Sequence, residues 1–105
     1  MIAFLSQLTH CIAVSLMNSN TTDGLEKYTG DSFRDLTRIA KINDAMWSEL
    51  FIMNKTALLT EMDNFISEFS KFRDMLSAED ALGMREKMRA STERRSLFDK
   101  PKKEN

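Results

Sequence analysis

The first charged residue of the chain is Asp23, and before it residues 2–18 are apolar at almost every position. That pattern predicts a helix buried on most of its sides. NSNTTDG, residues 18–24, is polar and breaks it, and Thr22 or Asp23 can cap a short following helix over LEKY. Gly30 suits a left-handed turn after that. DSFRDLTRIAKI, residues 31–42, puts Phe33, Leu36, Ile39 and Ala40 on one side and predicts a third helix. Asn43 and Asp44 form the next break and cap, and DAMWSELFIMN carries a fourth helix.

The most regular stretch follows. Leu58, Met62, Phe65, Phe69, Phe72 and Leu76 are spaced 4, 3, 4, 3, 4, a heptad seam widened by Leu59, Ile66 and Met75 on a helix over about residues 54–77. Glu61, Asp63, Glu68, Lys71, Arg73 and Asp74 fall between them as the solvated face. From Ala78 the pattern stays helical, with sparse apolar positions (Leu82, Met84, Met88, Leu97) that suit an outer helix. Strand-like alternation persists nowhere. The fold class is therefore all-α, with about five to six helices, one of them long and heptad-like.

Composition narrows this. Three glycines and one proline in 105 residues are too few for a chain of β-turns. The length allows one small domain, whose surface-to-volume ratio leaves little spare stability. Three phenylalanines on one stripe need cover, and a second copy of the chain is the favoured source, giving a homodimer. The net charge of −1 supplies no reason to expect nucleic acid. Residues 85–105 do hold eight Lys/Arg against four Asp/Glu. These cations are interleaved with acids and lack stacking aromatics, so they read as a solvated end. The domain is expected to span 1–97, with 98–105 a disordered basic tail. No Lys or Arg precedes Lys27, and Ser6, Gln7, Thr9 and His10 interrupt the opening apolar run, which argues against a signal peptide or a membrane span. A single cysteine, Cys11, excludes an internal disulfide and fits a reducing compartment, with the cytoplasm as default. With one histidine as well, no metal site is expected.

Two constellations could carry chemistry. Ser6 and Gln7 stand four and three residues before His10, so all three project from one side of the first helix. They form either a buried polar cluster that satisfies itself or the wall of a binding site; no elbow or oxyanion motif supports a Ser–His nucleophile. Arg34 and Arg38 are also four apart, with Asp31 and Asp35 nearby. A salt-bridged face is the usual fate of such residues, yet Arg38 adjoins apolar Ile39 and Ala40, and its planar fork suits a carboxylate. Trp47 is an aromatic with a polar handle, and the eight methionines suit core filling.

SQLTHCIAVSLM resembles the S-H-x-x-H helix that opens the C-terminal domain of prephenate and arogenate dehydrogenases. GDSFRDLTRIAKINDAMWSELFIMNKTALL is similar to the same family's run of Phe, a basic residue, Asp and Thr-Arg-Ile-Ala, followed by a Trp and an Asn-Lys pair. The likeness covers about residues 1 to 80. It implies a helical dimerisation domain of the 6-phosphogluconate dehydrogenase C-terminal-like type. The implied activity, in tyrosine biosynthesis, is NAD- or NADP-dependent oxidative decarboxylation of prephenate to 4-hydroxyphenylpyruvate, or of arogenate to tyrosine. In such enzymes an N-terminal Rossmann domain carries the dinucleotide and a catalytic histidine, while the helical domain dimerises and closes the substrate pocket. By the resemblance, Arg38 matches an arginine that binds a substrate carboxylate, Ser6 and His10 match the ends of the S-H-x-x-H motif, and Trp47 matches an aromatic near the pocket. Gln7 stands where the motif usually has its first histidine and Thr9 replaces a common proline, so a cationic contact at Gln7 is lost.

No G-x-G-x-x-G unit is present. The resemblance therefore implies no catalytic residue in this chain, no cofactor bound by this domain alone, and no activity in isolation. The chain reads as a C-terminal half lacking its Rossmann domain. The implied partners are a second copy and prephenate or arogenate, with tyrosine as a candidate inhibitor, and neither nucleic acid nor membrane. A different class of function, a non-catalytic helical protein–protein interaction module, would use the Phe stripe alone. A helical chorismate mutase needs arginines on its first helix, which here has none.

Overall fold

A computed structural model describes residues 1–28 and 30–99, and every regular element among them is helical. A π-helical opening over Ala3–Leu8 runs into α1 (Thr9–Asn18). A 3-10 turn over Leu25–Tyr28 leads to α2 (Asp31–Thr37), a second 3-10 turn over Arg38–Ala40, α3 (Asp44–Met53), α4 (Lys55–Ser77) and α5 (Ala81–Asp99). The chain divides into two compact units, Met1–Asn64 and the part from Phe65 onward, so α4 contributes to both.

In the first unit the opening helix packs through small side chains. Ala13 is fully covered and Ala3 and Leu8 are buried, as is Leu58 on α4. An alanine at the contact lets backbones approach closely, and α1 lies against α2 and the Arg38–Ala40 turn. The expectation of burial on most sides is corrected: one face is covered, while Phe4 and Leu5 are each more than half exposed.

Local chemistry explains the boundaries. Asn43 caps α3, its side-chain oxygen accepting the Met46 N–H at 3.1 Å. That cap needs an extended backbone, and the chain leaves the helix to supply it. The predicted 31–42 helix accordingly stops as α-helix at Thr37, whose hydroxyl donates back to the Phe33 carbonyl at 2.7 Å. Gly30 does not form the left-handed turn; it is extended, with φ −105° and ψ −176°, and the positive φ of 78° falls at Gly24. In the same loop Asn20, rather than Thr22 or Asp23, supplies the side-chain acceptor, taking the Thr22 N–H and hydroxyl at 3.1 and 2.7 Å.

In the second unit the helix expected to run on past Ala78 is interrupted. Glu79 adopts φ 55°, with Asp80 N–H bonded to the Met75 carbonyl at 2.8 Å and Glu79 N–H to that of Leu76 at 3.0 Å. This paired closure satisfies the last carbonyls of α4. Asp80 then starts α5, its carboxylate accepting the Gly83 N–H at 2.9 Å. Glu68 and Lys87 tie the two helical segments of this unit at 2.7 Å. The heptad stripe is laid out on α4 as expected, but Phe65, Ile66, Phe69 and Leu76 are all exposed in the single chain. α5 continues through Asp99, and the remainder of the expected tail, 100–105, lies outside the described residues.

Candidate functional site

The residues singled out on the first helix gather in the first unit around α3. Gln7 is the one polar residue among the buried positions described, at 5% exposure. A buried amide has to be hydrogen-bonded. Asn54 Nδ2 donates to Gln7 Oε1 at 2.7 Å, and Gln7 Nε2 donates to the Leu50 carbonyl at 3.3 Å. Asn54 is the single residue between α3 and α4, and its own N–H bonds the Leu50 and Phe51 carbonyls. Among the described residues no buried side-chain nitrogen or oxygen lacks a partner.

His10 is held from its own helix. The Ser6 carbonyl accepts the Thr9 N–H, the Thr9 hydroxyl at 2.7 Å and His10 Nδ1 at 2.7 Å. A carbonyl only accepts, so the hydrogen sits on Nδ1, and in the neutral ring Nε2 is left with its lone pair. The imidazole stacks on Trp47 with centroids 4.1 Å apart and planes 23° from parallel, and Trp47 leans on Phe51 at 5.6 Å. Ser6, Gln7, Trp47, Leu50, Met53 and Asn54 line an open, mainly apolar cleft of about 650 Å³. The π-helical winding falls on the turn that carries Ser6 and Gln7, the kind of irregularity that re-aims side chains.

Of the five residues the sequence proposes, three (Ser6, Gln7, Trp47) line this cleft, and His10 joins through its stack on Trp47. Arg38 is not among the lining residues. It is exposed on the 3-10 turn that packs against α1, and its guanidinium makes no ion pair among the described residues. Arg34, four residues earlier, pairs with Asp31 at 3.7 Å, the ordinary outcome for a helix face. Asn54 was missed as a site residue. Its signal was the Asn-Lys pair closing the recognisable stretch. Cys11, beside His10, is half-buried, and burial pushes its thiol above the ordinary range.

The family model "Prephenate dehydrogenase, dimerization domain" matches residues 1–90. The chain belongs to this family. It is 33% identical over 82 residues to a prephenate dehydrogenase of Bacillus subtilis (strain 168), covering 73% of this chain and 22% of that protein. It is also 33% identical over 87 residues to a cyclohexadienyl dehydrogenase of Zymomonas mobilis, covering 75% and 29%. The chain thus spans less than a third of the length of these curated relatives. The fold matches two solved structures. Synechocystis arogenate dehydrogenase superposes with a TM-score of 0.84 at 16% identity, over 92% of this chain and 37% of that one. Prephenate dehydrogenase from A. aeolicus, solved in complex with hydroxyphenyl propionate and NAD+, superposes with a TM-score of 0.81 at 25% identity, over 92% and 36%. A stand-alone interaction module is not favoured by these matches. Among the described residues no helix is long and apolar enough to cross a membrane.

Proposed function

We propose that these helices serve, as a homodimer in the cytoplasm, as the dimer-forming and substrate-closing part of an enzyme that oxidatively decarboxylates prephenate or arogenate with NAD or NADP. The observation that carries this is the convergence of Ser6, Gln7 and Trp47 on one cleft, with His10 stacked on the indole. A flat apolar wall with a few fixed polar groups suits a ring bearing polar substituents. The imidazole, with Nδ1 committed to the Ser6 carbonyl, offers Nε2 to the ligand beside Ser6 and Gln7 of the cleft wall. Arg38, outside that lining, is assigned the carboxylate on its match to the family's Thr-Arg-Ile-Ala run. Tyrosine, sharing ring and carboxylate with the substrate, would compete for the same wall.

The described residues contain no strand, hence no strand–glycine turn–helix to receive a pyrophosphate. On that ground the dinucleotide is assigned, as part of this proposal, to a domain other than these helices. The chain's own part is to bind, orient and cover.

The test puts these helices in place of the matching segment of the Bacillus subtilis relative and follows prephenate-dependent reduction of NAD or NADP. The helices alone should be inactive and the fusion active. In the fusion, Arg38→Ala should raise KM for prephenate several-fold, as expected for the loss of a charge-assisted contact to a carboxylate. An unchanged KM would remove Arg38 from the site.

A further inference from the structure

We infer that the Gln7–Asn54 amide pair is the positioning device of the His10–Trp47 wall, fixing α3 against the first helix so that the indole lies flat on the imidazole. Its bearing on a bound ligand rests on the function proposed above; its effect on the ring stack does not.

The geometry makes latch and stack one unit. Gln7 reaches α3 at two points: the Leu50 carbonyl, three residues beyond Trp47, and Asn54, the residue that ends α3. On the first helix His10 follows Gln7 by three residues. The hydrogen bonds and the ring contact therefore lie about one helical turn apart on both elements. Apolar packing could hold the helices together, but few large side chains are available for it: Ala3, Leu8, Ala13 and Leu58 are the buried hydrophobic residues described. Directional bonds set register more sharply than such contacts, and stacking energy falls away over a fraction of an ångström.

The polarity of the latch is also determined. The Leu50 carbonyl only accepts, so Gln7 must turn Nε2 towards it and Oε1 towards Asn54, which must answer with its Nδ2. Both amides are fixed by one carbonyl. A glutamine does this with no proton to gain or lose, so the latch is neutral. Gln7 and Asn54 are thus positioning residues that act through Trp47 and His10.

Trp47 is the only tryptophan in the chain, so its emission reports the stack directly. Gln7→Met keeps the length and removes both bonds; it should red-shift Trp47 emission and open the indole to acrylamide quenching. Asn54→Ala should do the same, and the double variant no more than either alone, because the two residues act as one unit. Gln7→Glu adds a rescue. As a carboxylate it cannot donate to Leu50; protonated, it donates there and accepts from Asn54, so lowering the pH should bring the emission to that of wild type at the same pH. Wild-type emission in a helical Gln7→Met variant would overturn the inference. If Gln7→Met loses its helical far-UV spectrum, the Gln7→Glu series decides: recovery on acidification supports the latch, and no recovery overturns it. None of these readings needs a ligand or cofactor, so the latch and the proposed enzyme function can fail separately.

Discussion

At the residue scale, environment sets the behaviour of the titratable groups. Burial of Cys11 disfavours its thiolate. Thiol alkylation near neutral pH should therefore be slower in the native chain than after denaturation, and equal rates would show the site to be open. The hydrogen bond from Lys87 holds the Glu68 carboxyl below its ordinary range, aided by the charges of Lys87, Lys71 and Arg94. A carboxylate whose folded pKa is depressed contributes stability above its unfolded pKa, and that contribution is lost as pH falls through the folded value. Glu68→Gln should lower stability near neutral pH and leave it unchanged in acid, which flattens the acid limb of the stability curve. Because the pair is exposed, added salt should reduce the difference. An acid limb identical to wild type would show that the contact contributes nothing.

At the element scale, helix positions were legible because apolar spacing repeats, and the ends were legible only where a side chain announces them. Asn43 does so, and α3 begins where its cap predicts. Glu79 does not. A glutamate in left-handed backbone is unfavourable, and neither glycine nor proline marks the turn between α4 and α5. Glu79→Gly should therefore stabilise the second unit by about 1 kcal/mol, read from the denaturation midpoint. A destabilised variant would mean that the Glu79 side chain matters more than its backbone. The candidate site was half legible for a related reason. Helical spacing placed Ser6, Gln7 and His10 on one side, and Trp47 belonged to a recognisable run. The bond from Asn54 to Gln7 joins residues 47 apart in sequence, which no local period reveals. Spacing alone also left two accounts of Gln7 open, self-satisfaction and a binding wall. It proves to be satisfied within the chain while still lining the cleft.

At the scale of the whole molecule, the sequence is 42% hydrophobic, yet among the described residues no large side chain is fully buried. Such a chain lacks the apolar burial that offsets its conformational entropy. Phe69 is 66% exposed and Ile66 58%, one turn apart on the longest helix. Exposed apolar stripes of this kind mark association surfaces, and the family to which the chain belongs is a dimerization domain. Covering Phe69 with a second copy would contribute at most roughly 1.5–3 kcal/mol, and the partly covered Phe65 and Phe72 less. Phe69→Glu, which places charge on that stripe, should shift the equilibrium towards monomer at equal helix content.

Association through the Phe stripe is tested by the mass of the 105-residue chain in sedimentation equilibrium at micromolar concentration. A homodimer should sediment as a homogeneous species of twice the 12.1 kDa chain mass, dissociated by Phe69→Glu. A stable, fully helical monomer at that concentration would contradict it.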